Sequence, residues 1–278
     1  MSTTGAGRRG RSTTMAVAVA LLLAACGATP GPGGADAPGA PAPTTLSVPM
    51  SPAPATVEAT TPSAGATTSA GPAGEAEGDI PESPADPDTV DVPEAASGTT
   101  RVVSVPGADT PASEAPGRVV RYTVEVEKGL EDVAAGFPAA VRADLTDRRG
   151  WQTKDGIRFV NVSPEQRDKG AKADIRILFA SPRLVDAACA PLRTNGRLSC
   201  HHDGKVMVNA WRWIHGSPTY GDDLANYRVY LVNHEVGHSI GHGHRPCPSP
   251  GAKAPVMLQQ TLHLEGCRAN PYPTVGPR

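Results

Sequence analysis

The sequence predicts an α+β domain set behind a long segment of quite different character, and three observations carry that expectation. Apolar runs with strand periodicity, among them Arg118-Val-Val-Arg-Tyr-Thr-Val-Glu-Val-Glu127 and Ala173-Asp-Ile-Arg-Ile-Leu-Phe179, are interleaved with stretches of helical spacing. Asp203-Gly204 stands between two short β-prone runs, the dipeptide of a tight hairpin. Near the C-terminus an apolar helical stretch carries histidines four residues apart, which places them on one face, one turn apart.

Composition separates the domain from what precedes it. Every aromatic residue lies at or beyond Tyr122, and 17 of the 29 prolines fall between Gly27 and Gly117, where Ala, Pro, Thr, Ser and Gly dominate. Such a stretch buries too little apolar surface to offset its ordering entropy, so residues 26–117 are expected to form a disordered tether. Residues 118–278 then make one domain of ordinary size, expected to be a monomer. Charge divides the same way: 22 Lys and Arg against 16 Asp and Glu from Arg118 onward, and one Arg against 12 acids over 27–117. The basic residues form no run and no aromatic-interleaved stripe, so no nucleic-acid partner is expected.

The first residues carry Arg8, Arg9 and Arg11 ahead of an apolar run over 15–25. A basic start and a short apolar core describe a secretory signal peptide over 1–25, too short to span a bilayer as a helix. Its end, Leu23-Ala24-Ala25-Cys26, resembles a bacterial lipobox. The resemblance implies cleavage before Cys26, lipid on its thiol and new amino terminus, and a lipoprotein anchored at the outer face of the cytoplasmic membrane.

The elements of the domain follow in order. Val102, Val103 and Val105 offer a short strand ahead of the one at 118–127. Val133, Phe137, Val141 and Leu145 recur every four residues and predict an amphipathic helix over 131–147, with Pro138 near its middle. Strands are expected at 157–162 and 173–179, the second apolar enough to be central, and Trp151 is expected to pack in the core or at its rim. An irregular loop containing Cys189 and Cys200 leads to the hairpin, whose strands are 197–202, from Arg197 to His202, and 205–210. His201 and His202 are read as exposed edge residues, since neighbours on a strand point to opposite faces. Asp222 and Asp223 can cap the last helix. There Ala225, Val229, Val232, Val236 and Ile240 form an apolar row away from the histidines, while Leu224, Tyr227 and Leu231 extend the histidine side, so the helix should be buried.

That helix carries His234-Glu235-Val236-Gly237-His238-Ser239-Ile240-Gly241-His242-Gly243-His244. His234 and His238 converge as zinc ligands do, and a catalytic site needs a third protein ligand with the fourth position left to water. Gly241 can turn the chain off the helix and swing His244 back as that ligand. His242 would compete if the helix ran on, but glycines flank it on both sides; otherwise it faces solvent or supports a ligand. The stretch matches H-E-x-x-H-x-x-G-x-x-H and so resembles the metzincin clan of zinc endopeptidases. From about Arg118 the chain looks most like an uncharacterised actinobacterial family of exported metzincin-like domains.

The resemblance implies a twisted mixed sheet over a buried active-site helix, a short irregular C-terminal subdomain, and one catalytic zinc ion on His234, His238 and His244 with Glu235 as general base. It implies an extended peptide or protein substrate along the edge strand at 197–202, and a turn carrying Met257 beneath the metal. Where the clan often has Tyr close behind that Met, this chain has Gln259 and Gln260. Four cysteines remain beyond Cys26, with three possible connectivities; local pairing gives Cys189 with Cys200 and Cys247 with Cys267. The expected activity is hydrolysis of peptide bonds. Its rivals are a catalytically silent, zinc-stabilised binding module of the cell envelope and a zinc hydrolase of cell-wall peptides.

Overall fold

A computed structural model describes residues 90–108 and 117–276, together with Ile80 and the backbone of Ala73–Gly74. The expected signal peptide, Cys26 and most of the expected tether lie outside the described residues. Seven strands form one mixed sheet: β1 (Ala73–Gly74), β2 (Thr100–Val102), β3 (Arg118–Glu127), β4 (Ile157–Asn161), β5 (Ile175–Ala180), β6 (Cys200–His202) and β7 (Lys205–Asn209). Their order is β1-β6-β7-β5-β3-β2, with β4 also paired to β3. The long β3 is shared. It pairs in parallel with β4 through Arg118 to Tyr122 and with β5 through Tyr122 to Val126, while β2 runs antiparallel to its end.

Parallel pairs need crossovers, and α1 (Phe137–Thr146), α2 (Trp151–Asp155), α3 (Pro164–Asp168) and α4 (Pro182–Cys189) lie in them, while α5 (Ala210–His215) and α6 (Leu224–Ser239) follow the last strand. β5 and β7 lie inside the sheet, and packing covers both of their faces. Ile177, Phe179, Val206 and Val208 join Phe137, Trp213 and Val236 in the main core, while Leu178, Ala180 and Met207 meet α4 residue Val185 on the other side. The polar alternation of β3 is likewise buried. Glu125 accepts a bidentate pair from Arg176 at 2.7 and 2.6 Å, and Glu127 accepts from the backbone N–H groups of Gly98 and Ser181 at 2.8 and 2.7 Å.

Several expectations need correction. The folded region does not begin at 118: Val92 and Val105 are buried in the core, and β2 is a sheet strand, so residues 90–108 belong to the domain. The helix expected over 131–147 starts only at Phe137, because Pro138 lacks an N–H and fits the first turn; left-handed Gly136 (φ 83°) precedes it. The loop expected after Ala180 opens with α4, capped by Ser181 and begun by Pro182. Two further short helices, α3 and α5, are capped by Ser163 and Asn209. The expected edge strand at 197–202 is only Cys200–His202, since Arg197 and Leu198 give their N–H groups to Thr194 in a turn. On its outer side β6 pairs antiparallel with β1, Ala73 opposite His201.

The hairpin forms as expected, His202 opposite Lys205, and β5 is central. Both local disulfides are present, Cys189–Cys200 and Cys247–Cys267. After α6 the chain has no further helix or strand as far as residue 276, and the second disulfide ties that part together. Among the described residues no helix is long and apolar enough to cross a membrane.

Candidate metal centre

The helix that carries the histidines is fixed at both ends. Asp223 caps α6 by accepting from the N–H of Asn226 at 3.2 Å. At the other end the N–H of His242 donates to Gly237 O at 2.9 Å, and Gly241, at φ 106°, turns the backbone through a conformation that favours glycine. The bend brings His244 back over the helix. His238 Nε2 then lies 3.2 Å from His234 Nε2 and 3.1 Å from His244 Nε2. Ligand atoms of the three residues all fall within 4.8 Å of one another, a grouping that can hold a metal ion.

Hydrogen bonds on the far side of the two helix rings decide what their nitrogens can do. His234 Nδ1 is 2.8 Å from Val256 O, and His238 Nδ1 is 2.8 Å from His242 O. A carbonyl only accepts, so each Nδ1 carries the hydrogen and each neutral ring presents a bare lone pair at Nε2. Two such lone pairs 3.2 Å apart repel unless a cation stands between them. A shared proton is disfavoured. Burial first, and then the neighbouring imidazoles, hold His234 well below the usual histidine range and His238 down to about 4; burial also lowers His244. A metal ion is the cation this donor set suits. Ligands bound at about 2.0–2.1 Å in tetrahedral array stand roughly 3.3 Å apart, close to the separations seen.

Beneath the helix the packing is tight. A Cβ at Gly237 would come within 2.5 Å of Met257 Sδ and 2.7 Å of Trp151 Cζ2, so this turn of α6 tolerates no side chain there. Met257 thus lies under the segment between the first two histidines, and the Cys247–Cys267 bridge closes the loop that presents both Val256 O and Met257. Trp151 Nε1 donates to Asn233 O at 2.8 Å, immediately before His234. Gln260 is committed elsewhere than to the histidine cluster. Its Oε1 accepts from Tyr220 Oη and Asn270 N, and its Nε2 donates to Pro255 O and Asn270 O.

Each residue singled out in the motif is accounted for. His234, His238 and His244 come together, and Glu235 is fully buried on the same helix. His242 is not with them: its ring stacks on Trp151 at 4.2 Å between centroids, and its Nε2 is 2.7 Å from Asp155 Oδ2. His201 and His202 are half-buried rather than exposed, and His201 is near enough to His238 to disfavour its protonation. The sequence gives no sign of Asp155, 87 positions before His242, nor of the two carbonyls that orient the ligands. Ser163-Pro-Glu-Gln166 and Ser181-Pro182, by contrast, are legible as helix starts.

Comparison with known proteins places the chain by a family model. Residues 86–272, more than half of the chain, fit the family model described as "Protein of unknown function (DUF3152)". Searches of curated proteins and of solved structures return no match. The matched span begins close to residue 90 and runs from before β2 to residue 272, beyond α6, so it takes in every residue of the histidine cluster and its supports. The chain belongs to the DUF3152 family.

Proposed function

We propose that this protein is an exported, lipid-anchored endopeptidase that holds one catalytic zinc ion on His234, His238 and His244. The observation that carries this reading is the convergence of three imidazole nitrogens, two with their other nitrogen committed to a carbonyl, with the carboxylate Glu235 buried on the same helix. Three neutral imidazoles would hold the ion, the protein-ligand count of hydrolytic rather than structural zinc sites. Zinc held there supplies Lewis acidity and makes water nucleophilic near neutral pH. Glu235 takes the proton of the attacking water and returns it to the leaving amine. Val256 O and His242 O keep the two helix imidazoles in one tautomer and one orientation throughout.

The glycine bend and the methionine packed under Gly237 support the likeness to metzincins. An extended peptide adds to β6 through main-chain hydrogen bonds, displacing the backbone of Ala73–Gly74 from that side. The two disulfides suit an oxidising compartment, in keeping with the basic, apolar start of the chain and with Cys26 as the point of lipid attachment.

The test is zinc content of the purified chain combined with cleavage of a random peptide library, using Glu235→Ala as control. The expected result is bound zinc in both proteins and hydrolysis only by the native one. A native chain that binds no zinc when the metal is plentiful, or a Glu235→Ala variant that retains turnover, overturns the reading. Release of fragments from purified cell wall but not from unfolded proteins would redirect it to wall peptides.

A further inference from the structure

The bend that delivers His244 is built from Gly241, His242 and Gly243, and two of these three residues impose little conformational preference of their own. Something outside the motif has to define it. His242 is the only residue of the bend with a side chain, and that side chain is held on two sides by α2, a five-residue helix far earlier in the chain. Trp151, at the start of α2, stacks on the imidazole with 4.2 Å between centroids and 23° between planes. Asp155, at its end, places Oδ2 2.7 Å from His242 Nε2. The backbone of His242 is meanwhile tied to α6: its N–H donates to Gly237 O at 2.9 Å and its carbonyl accepts from His238 Nδ1 at 2.8 Å.

The other end of this connection is also anchored. Trp151 Nε1 donates to Asn233 O at 2.8 Å, and the same ring lies against Gly237. The short helix α2 therefore spans the ligand helix from the residue before His234 to the bend after His238. Neither Trp151 nor Asp155 is among the grouped ligand residues. Both touch His242, the residue whose carbonyl sets the hydrogen on His238.

We infer that Asp155 is a positioning residue for the metal centre: by fixing the His242 ring against Trp151 it holds the His242 carbonyl in place, and so sets the tautomer and direction of His238 and the approach of His244. This rests on the metal-site reading above, but it also makes a claim about the metal-free protein. With Asp155 in place, His238 carries its hydrogen on Nδ1 before any ion binds. Without it, His242 can rotate away, the carbonyl loses its definition, and His238 samples both tautomers. Asn at 155 keeps an oxygen acceptor for His242 and should preserve the arrangement; Ala does not.

The experiment compares the native chain with Asp155→Ala, Asp155→Asn and Lys154→Ala, the last being a neighbouring position on the same helix. The ring nitrogens of His238 are observed by ¹⁵N NMR in metal-free protein, and affinity for Zn²⁺ is measured by competition with a chelator of known affinity. The expected result is a single Nδ1–H tautomer in the native, Asp155→Asn and Lys154→Ala proteins, and a tautomer mixture in Asp155→Ala. Zinc affinity should fall about 10–100-fold in Asp155→Ala alone. If Asp155→Ala keeps the single tautomer, or loses thermal stability without change in tautomer or affinity, the inference is overturned and Asp155 is only structural. If no protein binds zinc, the metal-site reading fails, while the tautomer comparison still decides the role of Asp155.

Discussion

Gly237 and Met257 meet with no room for a side chain between them: a Cβ on Gly237 would stand 2.5 Å from Met257 Sδ. In an unconstrained helix interior, Gly→Ala stabilises by about 1 kcal/mol. Here the sign reverses. Gly237→Ala should destabilise by about 1–3 kcal/mol through overpacking, measured by denaturant unfolding. Because the methionine tip can move and the Trp151 ring at 2.7 Å cannot easily do so, adding Met257→Ala should relieve only part of the clash.

Glu235 is the residue whose loss should separate binding from chemistry. Glu235→Gln keeps the shape of a buried side chain and removes the proposed base. Peptide hydrolysis should fall by about 10²–10⁴-fold with zinc content unchanged, read from turnover and metal analysis of the same preparation.

On the proposed reading, removing the metal should loosen the fold as well as stop hydrolysis. The bare lone pairs of His234 and His238 stand 3.2 Å apart, an arrangement that a cation stabilises and its absence does not. A chelator should therefore lower the melting temperature, and added Zn²⁺ should restore it with a concentration dependence that follows site occupancy. An identical melting curve with and without chelator would show that the three rings rest together without an ion.

The Cys247–Cys267 bridge closes a loop with a sequence separation of 20 around Val256 and Met257. Replacing both cysteines with Ser should cost about 3 kcal/mol by the loop-entropy argument. It should also weaken zinc binding, since Val256 O orients His234. Losing Cys189–Cys200, which ties α4 to β6, should cost stability without reaching the ligand carbonyls.

Asp144 on α1 predicts how stability depends on pH. Burial, and then the nearby Asp147, push its carboxyl up to about 7, and among the described residues its Oδ2 has no hydrogen-bond partner. The folded state thus holds a proton that the unfolded chain releases near pH 4. This contribution to stability is full below pH 4 and is lost as pH rises to about 7. Asp144→Asn removes the dependence, so its stability relative to the native protein should rise between pH 4 and pH 8 by on the order of 2–4 kcal/mol. Parallel unfolding curves at the two pH values check it.

The parts of the fold legible in the sequence are those fixed by neighbours along the chain. The strand at 118–127, the central strand near 175–180 and the hairpin through Asp203-Gly204 follow from periodicity and turn chemistry. The row Phe137, Val141 and Leu145 is buried as its spacing requires, although Pro138 moves the start of its helix. The strand at 100–102 is harder to see because its partner is the far end of β3, and its own neighbourhood is rich in Pro and Ala. Composition alone therefore puts the start of the domain too late.

By itself the sequence determined which histidines converge. Spacing of four on a helix and a glycine able to adopt φ 106° are local properties, and they point to the meeting of His234, His238 and His244. The tertiary structure alone decided which nitrogen of each helix histidine faces the centre. That choice belongs to Val256 O and His242 O, and backbone carbonyls carry no signature of residue type. It also decided that His242 pairs with Asp155 across 87 positions, because long-range contacts depend on how α2 packs against α6 and not on the residues beside either partner.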